Sequence, residues 1–90
     1  MTAKEVLLQL ARKDARKIGK RLVSLRGARR REEVAKAVGV SFSALCMYET
    51  GRRIARDEVK LRLAGYYGVP VEDIFFAGMS RNETNGGKNG

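Results

Sequence analysis

The chain has 90 residues, which is enough for one domain with a modest core. Its single cysteine excludes an intrachain disulfide, and the absence of histidine leaves no ligand set for structural zinc. A net charge of +9, from 19 basic and 10 acidic residues, favours a polyanionic partner. Nucleic acid is the first candidate and an anionic membrane surface the second. A basic surface that only aids solubility is the alternative to both.

Other features narrow the class of protein. No apolar run approaches the ~18 residues that a membrane-spanning helix needs. The apolar run 6–11 is too short for a signal peptide and is followed by Arg12 and Lys13, so we expect a cytoplasmic protein. No metal cluster, phosphate-binding glycine loop or nucleophile–base pair is visible. We therefore expect neither a metal or other cofactor nor enzymatic activity.

The chain begins with a predicted amphipathic helix over residues 3–14. Its apolar side chains recur at helical spacing on one face, which comprises Val6, Leu7, Leu10 and Ala11. We interpret residues 1–16 as an additional helix ahead of a domain that spans 17–77. This face packs on the domain, pairs with a second copy of the chain, or lies on an anionic membrane. Its length of little more than two turns favours packing or dimerisation.

A second, separate helix is predicted over residues 15–26. Its apolar stripe consists of Ile18, Leu22 and Leu25. Gly19 weakens this helix by about 1 kcal/mol relative to alanine. Gly27 is expected to end it, and a brief linker leads to the next helix.

The stretch 31–51 predicts two short helices joined by a tight turn. The first helix, 31–38, has an apolar stripe of Val34, Ala35 and Val38. Gly39 suits the left-handed backbone conformation that commonly ends a helix. Ser41 is positioned to cap the second helix, 42–49, which has Leu45 and Tyr48 on its inner side. Short helix, glycine turn and capped short helix form a helix-turn-helix.

Two more helices and a tail complete the prediction. The fourth helix of the domain begins at Arg56 or Asp57 and ends at Gly68. The last helix covers 70–76, where Ile74 and one of the two phenylalanines close the core. Residues 78–90 are polar and glycine-rich, so we expect a disordered tail.

The region from Ile18 to Phe76 resembles the phage-repressor-like (Cro/Xre) helix-turn-helix family of regulators. The matching segments are 18–22, 25–26, 33–41, 48–54 and 63–75, in the family's order and over about two thirds of the chain. The resemblance implies an all-α, five-helix bundle, to which the N-terminal helix is additional. It also implies that helix 42–49 enters the major groove of DNA.

The resemblance assigns base reading to the outer side of that helix, namely to Ser41, Phe42, Ser43 and Met47. Serine hydroxyls can donate to or accept from base edges, and Phe42 and Met47 can contact thymine methyl groups. The alternative for Phe42 and Met47 is packing in the core. Phosphate contacts are expected from Arg30, Arg31, Arg52 and Arg53, with solvation as the alternative for each.

Arg26 and Glu49 are expected to form a structural ion pair. The family resemblance suggests this pair, and the helix dipole supports it. An acid at the end of the reading helix is unfavourable unless a cation meets it. Cys46 lies on the outer part of the same helix, either as a redox-sensitive thiol or as a small side chain at a permissive position.

The leading functional prediction is a DNA-binding transcriptional repressor of phage or mobile-element type. We expect a homodimer, because two reading helices one DNA turn apart would read a palindromic operator. Residues 71–76 are the first candidate for its dimer surface and the N-terminal helix the second. The alternative function is an antitoxin or adaptor that mainly binds another protein.

Overall fold

A computed structural model describes residues 2–76 of the chain, so the predicted tail at 78–90 lies outside the described residues. Within them the fold is all-α, with five helices and no strand, which confirms the predicted fold class. The helices are α1 (Ala3–Arg26), α2 (Arg31–Val38), α3 (Phe42–Thr50), α4 (Asp57–Tyr67) and α5 (Val71–Phe75).

The prediction of two separate N-terminal helices is wrong, because α1 is one continuous helix of 24 residues. No glycine or proline interrupts it near Asp14, and Ala15 continues the buried stripe that leads to Ile18. At its start, Thr2 and Glu5 form a capping box in which the Thr2 hydroxyl accepts from the Glu5 N–H at 3.2 Å. The additional N-terminal segment is therefore an extension of the first helix of the bundle.

The turn between α2 and α3 has the predicted construction. Gly39 has a φ of +84°, the left-handed conformation that a side chain disfavours. The Ser41 Oγ accepts a hydrogen bond from the Ala44 N–H at 3.0 Å and so caps α3. These two residues fix the angle at which α3 leaves α2.

All five helices contribute to the core. The largest fully buried residues are Leu22, Val34, Leu45, Leu63, Ile74 and Phe75. Phe75 closes the core with Ile74, as predicted for one of the two phenylalanines, whereas Phe76 remains 41% exposed. The inner side of α3 therefore faces the core, and its other side is available to solvent.

Gly19 allows α1 and α3 to cross with their backbones in direct contact. A Cβ atom at this position would lie 2.9 Å from the Tyr48 carbonyl oxygen and 2.8 Å from the Glu49 carbonyl carbon. Both neighbours are backbone atoms near the end of α3, so they cannot rotate away. Glycine at 19 therefore sets the distance between the two helices.

We expect Gly19→Ala to destabilise the protein by about 2 kcal/mol, although alanine is the better helix former. The cost of separating two packed backbones exceeds the gain of about 1 kcal/mol in helix propensity. Urea denaturation followed by circular dichroism measures the change.

Gly65→Ala is the matched control, because Gly65 also lies inside a helix but a Cβ there meets no atom within 4 Å. The free energy of unfolding of this variant should rise by up to about 1 kcal/mol, the difference in helix propensity between glycine and alanine. If both variants were more stable than the wild type, the close crossing of α1 and α3 at Gly19 would be contradicted.

Candidate nucleic-acid interface

A buried carboxylate at the end of α3 connects three helices. The Glu49 side chain is fully buried. Its Oε2 accepts from Arg26 Nε of α1 at 2.8 Å, and its Oε1 accepts from Arg31 Nε of α2 at 2.7 Å. Arg26 also donates through Nη1 to the Arg29 carbonyl at 2.9 Å, which fixes the loop between α1 and α2. Each carboxylate oxygen therefore holds a different helix in place.

The Arg26–Glu49 contact was anticipated, whereas the second partner, Arg31, was expected at a phosphate. The hydrogen bond that Arg31 donates to Glu49, and secondarily the charge of Glu49, raise the pKa of Arg31 above its ordinary value. The Arg31 side chain is still 40% exposed. Arg31 lies 18 residues before Glu49, so its place in the sequence gave no signal of this pairing, which depends on how α2 and α3 cross.

The residues proposed to read bases lie on the solvent side of α3. Ser41, Phe42, Ser43 and Met47 are all exposed, and Phe42 is 48% and Met47 38% accessible. Core packing of Phe42 and Met47, the alternative above, is therefore excluded. The inner positions are occupied instead by Leu45 and Tyr48.

A shallow concavity runs along this side of α3 and includes Cys46, which was expected on the outer part of the helix, and Thr50, which was not assigned there. It is lined by Phe42, Ser43, Cys46, Met47, Thr50 and Arg52. The Thr50 hydroxyl donates to the Cys46 carbonyl at 2.8 Å, so its methyl group and oxygen have a fixed orientation. The i, i+3, i+4 and i+7 spacing of 43, 46, 47 and 50 would have identified Thr50 as well.

The remaining predicted phosphate contacts, Arg30, Arg52 and Arg53, are exposed at the two ends of the helix-turn-helix. Arg30 is the N-cap residue of α2. The backbone N–H groups of Arg52 and Arg53 both donate to the Met47 carbonyl, at 2.9 and 3.3 Å. These bonds hold the backbone of both residues against the last turn of α3, and Arg52 also lines the concavity on its exposed side.

Two tyrosines at the end of α4 lie near the ion pairs that Glu49 forms with Arg26 and Arg31. Arg29 lies over both rings, 5.5 Å from the centre of Tyr66 and 5.7 Å from the centre of Tyr67. Within the described chain, the buried Tyr67 hydroxyl has no hydrogen-bond partner. Burial, and secondarily the charge of Glu49, raises the pKa of Tyr67 to about 12.

Two further features bear on the chemistry of the chain. Residues 2–76 contain no group of three or more acidic or cysteine side chains that could hold a metal ion. No helix in that part of the chain is both long and apolar enough to cross a bilayer.

Residues 17–74 match the family model described as a helix-turn-helix domain. The chain therefore belongs to the helix-turn-helix domain family, which confirms the resemblance to phage-repressor-like regulators. It is also similar to the cryptic phage CTXphi transcriptional repressor RstR of Vibrio cholerae, with 37% identity over 54 residues. That match covers 60% of this chain and 45% of the relative's length. No solved structure matches the chain.

We expect Glu49→Gln to lower the free energy of unfolding by about 3 kcal/mol. The substitution keeps the shape of the side chain but leaves two arginines without their buried counter-charge. Urea denaturation at neutral pH measures the loss.

Glu58→Gln provides the control, since Glu58 pairs with Arg62 at 3.2 Å and both side chains are at least half exposed. Loss of such a surface pair should lower the free energy of unfolding by less than about 0.5 kcal/mol. Equal stability of the two variants would refute the role assigned to Glu49.

We expect Tyr67→Phe to raise stability at pH 7 by about 1 kcal/mol, because it removes a buried hydroxyl without a partner. The raised pKa also favours the neutral phenol in the folded state. Below the unfolded pKa of about 10 the phenol is neutral in both states, and the wild type then loses stability as the pH rises from about 10 through about 12, because the unfolded phenol ionises first. Unfolding measured at intervals from pH 8 to 12 should therefore show a shallower alkaline decline for Tyr67→Phe than for the wild type. Parallel declines would contradict this prediction.

Proposed function

We propose that this protein is a transcriptional regulator of the repressor type that binds double-stranded DNA in a sequence-specific way. The observation that carries the proposal is the outward side of α3, where Ser43, Met47 and Arg52 line one concavity in a helix-turn-helix chain. The similarity to a phage transcriptional repressor supports the same conclusion.

In this proposal α3 enters the major groove, and exposed arginines contact phosphates on either side of it. The width of the groove accommodates one helix. Arg30 at the start of α2 and the pair Arg52 and Arg53 after α3 are exposed at positions that flank α3. Arg31 has Nε committed to Glu49, so any phosphate contact would use the rest of its guanidinium.

Base recognition would use small polar and apolar contacts. The sequence of α3 contains no arginine, glutamine or asparagine, the residues that make bidentate contacts with guanine and adenine. Ser43 offers a hydroxyl to base edges, while Phe42 and Met47 offer apolar contact with thymine methyl groups. We therefore propose that DNA shape and deformability supply a substantial part of the specificity.

We propose that the protein acts as a homodimer on a palindromic operator, since one reading helix covers only a few base pairs. Residues 71–76 remain one candidate dimer surface, where Phe76 is 41% exposed. The N-terminal part of α1 is the other, and it exposes Leu7 and Leu10.

A protein-binding adaptor or antitoxin is the second candidate function. It is favoured by one observation, the exposed apolar side chains Val6, Leu7, Leu8 and Leu10 on the N-terminal part of α1. Monomeric proteins rarely leave such a patch uncovered, so a protein partner is an alternative to a second copy.

Selection of bound DNA from random duplexes tests the proposed function. We expect enrichment of a palindrome whose half-sites lie one helical turn apart. We also expect the logarithm of affinity for that duplex to fall with the logarithm of salt concentration with a slope near −5, because about six phosphate contacts release counterions.

Two outcomes of this experiment would contradict the proposal. Failure to enrich any sequence would favour the adaptor function. A salt slope near zero would exclude phosphate contacts as the source of binding.

A further inference from the structure

An arginine far from the helix-turn-helix in the sequence lies beside it in the structure. A groove runs between the N-terminal part of α1 and the loop after α3. Leu8 and Ile54 contribute apolar lining, and Arg12, Arg52 and Arg53 line the same groove. Arg12 is therefore brought next to two arginines that follow the reading helix, about 40 residues later in the chain.

The groove adjoins the exposed side of α3 at one residue. Arg52 lines both this groove and the concavity that contains Ser43 and Met47. No acidic side chain of the described residues lines either of them. Arg12 is exposed and takes part in no ion pair within residues 2–76. The positive charge of the reading side thus extends onto α1.

We propose that Arg12 contacts a DNA phosphate that flanks the base pairs facing α3. This inference rests on the proposed DNA binding and adds the N-terminal part of α1 as a further element of the interface. A duplex carries one negative charge per about 1.7 Å of its axis, so phosphates continue past the bases that α3 meets. A guanidinium beside Arg52 and Arg53 is suited to this continuing row of phosphates.

The continuity of α1 makes such a contact possible. Arg12 lies seven residues before Gly19, which corresponds to about 10 Å along a helix. At Gly19 the helix is packed directly on the backbone of α3. Arg12 is therefore carried by an ordered helix anchored to the reading helix, and binding would order only its side chain.

Charge neutralisation at Arg12 provides the test, with Arg12→Gln compared with Lys13→Gln. Both residues are exposed on α1 and both variants lose one positive charge, but Lys13 lies about 100° around the helix and does not line the groove. The dissociation constant of each variant is measured between 50 and 300 mM salt on the duplex selected by the wild type.

We expect Arg12→Gln to reduce the salt slope by about 1, while Lys13→Gln retains the wild-type slope. A slope change of 0.9 makes the affinity deficit grow about eightfold for each tenfold decrease in salt. Circular dichroism on both variants checks that α1 remains helical.

An unchanged slope for Arg12→Gln would overturn the proposal, since it would show that Arg12 releases no counterion when the duplex binds. Equal changes in the two variants would also overturn it, since they would indicate a diffuse charge effect. In both cases the wild type still binds its duplex, so the proposed DNA binding survives. A wild type that binds no duplex would refute the DNA-binding function itself.

Discussion

The fold depends on one buried carboxylate that receives two arginines from different helices. Glu49 stands at the end of α3, Arg26 at the end of α1 and Arg31 at the start of α2. The C-terminal end of a helix disfavours an acid, so Glu49 is stable there only because both cations meet it. Alignment of these three helix ends then orients α3 with Leu45 and Tyr48 inward and Ser43 and Met47 outward.

Backbone packing adds a second constraint at the same place. Gly19 brings α1 against the Tyr48 and Glu49 carbonyl groups, and the Glu49 side chain bonds to Arg26 two turns further along α1. The close backbone packing and the ion pairs therefore both act on Tyr48 and Glu49 near the end of α3. A change in the distance between α1 and α3 would also disturb the ion pairs, so the two effects are coupled energetically. Together they fix the position of α3 on a small core.

Local signals in the sequence predicted much of this structure. Gly39 and Ser41 predicted the turn, since a left-handed glycine and a capping serine act over only a few residues. The apolar stripe of α2 followed from spacing alone, and the burial of Ile74 was expected from its place in the last short helix. The continuity of α1 was missed because two apolar stripes were interpreted as two helices, although no residue between them breaks a helix. The point at which one apolar stripe ends and another begins is therefore weak evidence for the end of a helix.

Features that depend on distant residues were beyond local analysis. Arg31 was assigned to a phosphate because its helix N-terminal position suits an anion, and nothing near it in sequence indicated Glu49. Gly19 looked like a weak point of a helix until its contact with α3 was known. The proximity of Arg12 to Arg52 likewise arises only when α1 is continuous.

The central claim is that this framework presents the outer side of α3 to DNA. Backbone amide chemical shifts of the isotopically labelled protein, titrated with its selected duplex, test that claim most directly. The account predicts the largest shifts at Phe42, Ser43 and Met47, with Leu61 of α4 nearly unchanged as an internal reference. Shifts confined to Leu7, Leu10 or Phe76, with the amides of α3 unaffected, would contradict it.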